Sequence, residues 1–410
     1  MNLTKKRWFY LVLCCLINLC LGSIYAWSVF ASPMADYLSV FAGHKLTTGD
    51  LAIVYTIANA VGPITMISGG FFNDKFGPKT VIFVGGIMWG LGLFTSGFAG
   101  SVSMLIVTYG LIGGLGLGMA YGSTISTCMK YFPDKRGLIG GITTAVYGLS
   151  SVILPPVITM IVAATNVTFA FKIIGLVFMI VVGVSALFLR PCPKDFIPEG
   201  WNPPVRAEYT FSNDKNWKEM LSTPVFYVMI LILTCGAFSG MMIISQASGV
   251  ASYMIGMTPA EAAAAVSVLA LFNAFGRIFA GVLSDKAGRI NTLTLALGLS
   301  VVGLIFLFNC NKGTVVLFYI GIAIVGICFG SFMGVFPGFT VDKFGAKNNS
   351  VNYGIMFIGF ALAGYFGPTV MRSVFAADGA YQRAFIYALC FDSAGIVLTF
   401  IYRIFSKKES

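Results

Sequence analysis

Twelve apolar stretches, each long enough to cross a bilayer, set what this 410-residue chain can fold into. They fall at roughly 8–31, 50–72, 80–100, 103–129, 137–163, 168–190, 223–247, 261–284, 290–310, 314–340, 350–374 and 382–404. A helix needs about 20 apolar residues to span the hydrocarbon. No water is available there, so a spanning segment must satisfy its own backbone N–H and C=O groups, and runs of this length do so as α-helices. Composition agrees: 57% of residues are hydrophobic and 10% charged, with mean hydropathy +0.88, whereas a soluble domain carries about 25% charged residues. The expected fold class is an all-α membrane protein with twelve transmembrane helices.

The net charge of +11 lies in short loops between apolar runs, not in a basic patch with interleaved aromatics, so nucleic acid is not an expected partner. With the N-terminus inside, 20 of the 26 basic residues fall in cytoplasmic segments, Lys194 and Arg206 among them. Five fall outside (Lys45, Lys172, Lys312, Arg372, Arg383), and Arg277 is the remaining one. This asymmetry places both termini in the cytoplasm of an inner-membrane, multi-pass protein. The run after Lys5-Lys6-Arg7 is too long for a signal-peptide core and reads as a retained first helix. The one long polar stretch, Pro191 to Ser222, holds five prolines. It reads as a cytoplasmic linker, which gives a six-helix bundle over 1–190, the linker over 191–222 and a second six-helix bundle over 223–410.

The halves repeat. Asn73-Asp74-Lys75-Phe76-Gly77-Pro78-Lys79 after the second helix matches Ser284-Asp285-Lys286-Ala287-Gly288-Arg289 after the eighth, with the aspartates 211 positions apart. Pro133-Asp134-Lys135-Arg136-Gly137 matches Val341-Asp342-Lys343-Phe344-Gly345, with the aspartates 208 apart. Two loop motifs at nearly one offset indicate a duplicated unit and two pseudo-symmetric bundles. Glycine permits a sharp turn in each loop. Asp74, Lys75, Asp134, Arg136, Asp285, Lys286, Arg289 and Asp342 can pair with helix ends and with one another, as a latch in one conformational state. The competing reading is that these residues only set orientation.

Arg277 is the one charge between Ala262 and Ser284. A guanidinium stays protonated at cellular pH, and at the bilayer centre it costs roughly 2.5–3.5 kcal/mol by insertion scales. A chain carries that cost where the group faces a polar cavity and meets an anion, or where a buried acid or helix carbonyls neutralise it. Asn273 lies one turn earlier on the same face. An arginine fork fits a carboxylate in bidentate fashion.

Other signals weigh less. The nine cysteines show no metal-type spacing or disulfide framework, and His44 falls in an outer loop. Gly113-Gly114-Leu115-Gly116-Leu117-Gly118 lies inside a span with no preceding strand, so it reads as close helix packing rather than a nucleotide loop. Pro155-Pro156 is expected to kink the fifth helix. Glu261 suits a helix N-terminus. Asp392, in the middle of the twelfth helix, is either a proton-coupling carboxylate or the partner of a polar group in its own half.

The finer pattern resembles a known family. Twelve helices in two halves with the Asp-Lys-Phe-Gly-Pro-Lys loop resemble the major facilitator superfamily. Further stretches resemble its oxalate/formate antiporter family, which includes bacterial lactate and pyruvate carriers. They are Arg7-Trp8-Phe9-Tyr10, Gly22-Ser23-Ile24-Tyr25-Ala26-Trp27-Ser28, Tyr131-Phe132-Pro133-Asp134-Lys135-Arg136-Gly137, Glu199-Gly200-Trp201-Asn202-Pro203-Pro204, Phe272-Asn273-Ala274-Phe275-Gly276-Arg277, Phe336-Pro337 and Asn352-Tyr353-Gly354. The resemblance implies that the substrate arginine is Arg277, and that cavity polar residues fall on Tyr25, Tyr121, Tyr147 and Asn273. Each tyrosine also reads as plain helix packing. The resemblance places a second cation, a lysine in the oxalate carrier, at Phe360, and an aromatic wall at Met333. Losing that cation disfavours a dianion.

The expectation is therefore a secondary carrier of small monocarboxylates (lactate, pyruvate or formate) working by proton coupling or anion exchange. The alternative is an oxalate-type dicarboxylate exchanger. A carboxylate sensor would need an output domain, and none is apparent. No catalytic constellation or ATP-binding loop appears, so neither an enzyme nor a primary pump is expected. The reading includes no cofactor, no metal, a membrane lipid surround, a proton as a second ligand, and function as a monomer.

Overall fold

The computed structural model describes residues 3–193, 196–202 and 214–409. Lys194, Arg206 and Pro203-Pro204, used above, lie outside the described residues. Among the described residues every regular element is helical, and twelve helices are long and apolar enough to cross a membrane. They are α1 (Leu3–Ala42), α2 (Ala52–Phe76), α3 (Pro78–Ser96), α4 (Val102–Tyr131), α5 (Arg136–Ala164), α6 (Val167–Phe188), α7 (Pro224–Ile255), α8 (Ala260–Ala287), α9 (Arg289–Phe308), α10 (Val315–Phe344), α11 (Asn349–Asp378) and α12 (Gln382–Lys407).

Each expected span is present, and the ends differ where polar residues lowered the local hydropathy. The first span was expected over 8–31, yet α1 runs to Ala42 and ends at Gly43 with φ 70. Ser32, Pro33 and Asp36 mask its second half in the sequence. A 3₁₀ turn at Gly22–Ala26 divides α1. α5 runs through Pro155 and Pro156 as one uninterrupted helix, whereas α11 is interrupted at Phe357. A π-helical stretch, Ile106–Gly113, opens α4, and no sequence signal announces it.

By contacts the chain forms two compact units. The first holds Met1–Pro133, Val146–Asn202 and Ala346–Ile355, and the second holds Asp134–Ala145, Pro203–Gly345 and Met356–Ser410. The first turns of α5 therefore cluster with the second unit, and the first turns of α11 with the first. Within unit one α2 packs on α4, α3 on α6 and α3 on α4. Within unit two the same pairs recur six helices later: α8 on α10, α9 on α12 and α9 on α10. The duplication seen in the loops is thus also a duplication of packing.

Lipid-like surroundings supply no hydrophobic drive between helices, so they associate through close backbone approach at small residues. α4 does this through the glycines that resemble a nucleotide loop. A side chain at Gly118 would strike the Gly62 carbonyl of α2, and one at Gly116 the Gly85 carbonyl of α3. Large apolar side chains such as Ile64, Phe71, Phe275 and Phe279 stay exposed, as a lipid-facing surface requires. Gly77 ends α2 and caps α3 at once with φ 86, and Gly288 does the same between α8 and α9 with φ 87. Gly137 departs from the expected turn role. It lies inside α5, where its missing side chain admits the Gly281 carbonyl.

Overpacking a tight helix crossing costs about 1–3 kcal/mol. Gly118→Val is therefore expected to lower the thermal midpoint of the purified protein in detergent, while Gly100→Val, at a position with open space around it, leaves it unchanged. A fluorescence melt of the two variants checks this.

Candidate functional site

α8 begins with a capping box. Thr258 accepts from the Glu261 N–H, and Glu261 accepts from the Thr258 N–H at 2.8 Å. This gives Glu261 the helix-start role expected of it. The helix has two faces. Phe275 and Phe279 are exposed and stacked, with ring centroids 5.7 Å apart. Arg277 points the other way and is 3% exposed. Its Nε donates to Asn273 Oδ1 at 3.1 Å, and its Nη1 donates to the Thr144 carbonyl of α5 at 2.6 Å. Both acceptors are neutral. Among the described residues no carboxylate pairs with it. A guanidinium has five N–H donors, so two bonds to neutral oxygens leave a buried cation with no balancing charge.

Glycines fix where that cation sits. A side chain at Gly330 or Gly334 of α10 would overlap the carbonyls of Asn273 and Arg277 respectively, and one at Gly141 of α5 would also overlap the Arg277 carbonyl. The α8 backbone around Arg277 is therefore held at close range by two neighbouring helices. Among the described residues Thr144 is the partner the sequence did not reveal, because its contribution is a backbone oxygen common to every residue type.

The expected tyrosines lie in unit one. Tyr147 meets Tyr25 edge-on at 5.4 Å between centroids and Tyr121 at 4.6 Å. Tyr121 and Tyr147 are buried and Tyr25 half-buried. Below them Thr124 donates to Asn18 Oδ1 at 2.8 Å. Tyr55 of α2 also belongs to unit one, and its backbone carbonyl accepts from the Asn59 side chain at 2.9 Å. It was not singled out in the sequence, although a phenol inside the second apolar run was the available signal. In unit two, Phe360 stacks with Phe357 at 4.6 Å and meets Phe329 at 6.2 Å. Its surroundings are apolar rings. Met333 is buried.

The Asp-Lys loops form one charge cluster in each unit. In unit one Asp74 takes the Lys130 ammonium at 2.7 Å and accepts from the Ser350 and Val351 backbone N–H groups at 3.1 and 3.3 Å. Ser350 Oγ adds a bond at 2.9 Å. In unit two Asp285 accepts from the Gly137 and Leu138 N–H groups at 2.8 and 2.9 Å. Arg289 joins Asp285 at 2.7 Å and Asp342 at 2.8 Å, and Arg136 joins Asp342 at 2.7 Å. Each repeat aspartate thus caps the first turn of a helix, α11 for Asp74 and α5 for Asp285, where free N–H groups and the positive dipole end favour an anion. Among the described residues Lys75 and Lys286 make no ion pair. Both are exposed, with Lys75 over the Phe76 ring at 5.2 Å. Asp134 occupies the turn before α5. Lys130, at the end of the fourth apolar run, carries the pairing role that the loop motif suggested for Lys75.

Asp392 lies fully buried on α12, where Oδ2 accepts from Ser300 Oγ of α9 at 2.5 Å. Its partner is therefore within its own unit. Among the described residues no cluster of three His, Cys, Asp or Glu side chains could hold a metal ion.

Residues 5–368 match the family described as the Major Facilitator Superfamily. The chain is 30% identical over 386 residues to the oxalate:formate antiporter of Oxalobacter formigenes, covering 94% of this chain and 88% of the relative. It is 28% identical over 362 residues to an uncharacterised MFS-type transporter, YhjX, of Escherichia coli, covering 88% and 86%. Among solved structures, the proton:xylose symporter XylE superposes with a TM-score of 0.73 at 13% identity, covering 97% of this chain and 96% of that one.

Removing a carboxylate that caps a helix and holds an arginine leaves several groups unsatisfied, at about 1–3 kcal/mol. Asp285→Ala is accordingly expected to destabilise the purified protein measurably. Lys286→Ala, one residue along and without an ion pair, is expected to stay within about 0.5 kcal/mol of wild type. Parallel thermal unfolding in detergent distinguishes the two.

Proposed function

Because this chain belongs to the Major Facilitator Superfamily, and so is a secondary transporter and a multi-pass protein of the inner membrane, we propose that it carries small monocarboxylates of the lactate, pyruvate or formate class, with Arg277 binding the carboxylate. The observation that carries this reading is a guanidinium 3% exposed, bonded among the described residues only to an amide and a backbone carbonyl. An intramembrane cation without a counter-charge calls for an anion. The bond to Thr144 is charged on its donor side alone, whereas a carboxylate adds a full negative charge on the acceptor side and can take two parallel N–H groups of the fork. A substrate carboxylate therefore out-competes the Thr144 oxygen for the fork while also supplying the missing negative charge.

The size of that charge follows from what lies elsewhere. The relative named an oxalate:formate antiporter joins a dianion and a monoanion in its name. The second cation that the resemblance places in the oxalate carrier is Phe360 here, among Phe357 and Phe329. One arginine and an apolar cluster favour a single carboxylate with a small apolar body. Asn273 orients the guanidinium, and Tyr121, Tyr147 and Tyr25 are further candidate substrate contacts through their hydroxyls and ring faces. The six-helix bundles at 1–190 and 223–410, joined by 191–222, are assigned as the moving halves. The Asp74 and Asp285 caps are assigned as latches, and the lysine and arginine asymmetry places both termini in the cytoplasm. An oxalate-type exchange remains the second reading, supported by the named relative.

Arg277→Lys keeps the charge and loses the fork, and it is expected to lose most uptake of labelled lactate, pyruvate or formate in proteoliposomes. Full uptake by normally expressed Arg277→Gln would remove Arg277 from substrate binding. In a competition assay monocarboxylates should displace labelled substrate better than oxalate, and Phe360→Lys should improve oxalate recognition. Oxalate emerging as the tightest competitor of the wild type would instead favour the dicarboxylate reading.

A further inference from the structure

We infer that Asp392 is a proton-binding site in the second unit, filled in the state described here. The side chain is fully buried in the middle of α12. Oδ2 is bonded to Ser300 of α9, and Ser300 in turn lies 3.4 Å from Ser239 of α7. Oδ1 has no hydrogen-bond partner among the described residues.

The groups that face it come from three helices. α7 presents Ser239 and Cys235, α9 presents Ser300, and α10 presents Cys328 within electrostatic reach. None of these is a cation. Among the described residues no lysine or arginine, on α11, which also packs on α12, or elsewhere, forms an ion pair with the carboxyl. Isolating an ionised carboxylate in such surroundings costs far more than the serine hydroxyls return, and a buried acid in that position takes up a proton instead.

Arg277 and Asp392 are then opposite cases inside the same unit. One is a buried charge that lacks a counter-ion and needs an external anion. The other is a buried acid that lacks a cation and needs an external proton. Loading both brings in one net neutral set, anion plus H⁺, with the proton released from the carboxyl when the site is exposed to the lower proton activity. The inference deepens the monocarboxylate reading and rests on it for the coupling. The protonation itself does not depend on that reading.

Infrared spectroscopy of the purified, substrate-free protein tests the proton site directly. A protonated-carboxyl stretch that shifts in D₂O and vanishes in Asp392→Asn is expected, and its absence from the wild type would overturn the assignment. Proteoliposomes test the coupling. Asp392→Asn should lose lactate or pyruvate accumulation driven by a pH gradient, while Asp392→Glu, which restores an ionisable oxygen, should recover part of it. Counter-exchange of labelled substrate in the same vesicles reports whether each variant is folded. Unchanged gradient-driven accumulation in Asp392→Asn would refute the coupling role. If the wild type carries no monocarboxylate at all, the substrate reading fails on its own and the infrared result still decides the proton site.

Discussion

A backbone N–H inside hydrocarbon has no water to turn to, and everything else in this protein follows from that shortage. It forces every span into a helix. It also removes the solvent-driven attraction that would hold helices together in water, so the contacts must come from backbones laid close at small residues. Gly330, Gly334 and Gly141 bring α10 and α5 against α8 at the level of Arg277. The same contacts that hold the bundle together thus aim the guanidinium.

The shortage also explains where the charges are. Helix ends carry N–H groups that the helix itself cannot satisfy. Asp74 and Asp285 each answer that need for a helix of the other repeat, α11 and α5 respectively, and Lys130 and Arg289 balance them. Charges at these ends are compensated locally. Arg277, in the middle of a span, is compensated among the described residues only by neutral oxygens, and that contrast separates a structural charge from a candidate ligand-binding one.

What could be read from the sequence followed the same physics. Apolar length announced the spans, because some twenty predominantly apolar residues in a row have few other uses. The helix ends were harder to place, since Ser32, Pro33 and Asp36 continue α1 without raising its hydropathy. Arg277 stood out because one charge in a long apolar run is costly. Its Thr144 partner did not, since a backbone carbonyl leaves no trace in residue type. The Asp-Lys motif drew attention to Lys75 and Lys286, which are exposed, while the ammonium that pairs with Asp74 comes from Lys130, 56 positions away. Short motifs record which loops recur, and they do not record which distant side chain closes the contact. Likewise Gly137 looked like a turn residue and is a packing residue.

Gly77 and Gly288 each form the entire link between two antiparallel spans. A single-residue joint at positive φ has little slack, so a rotation of α2 is expected to be passed to α3, and one of α8 to α9. Each hairpin is then expected to tilt as one lever, with give for a transport cycle supplied elsewhere along the chain. The 3₁₀ turn in α1 and the interruption at Phe357 in α11 are places where the helical rods themselves can flex. At these two joints the chain is stiff between its helices, while α1 and α11 carry their breaks within the helical rods.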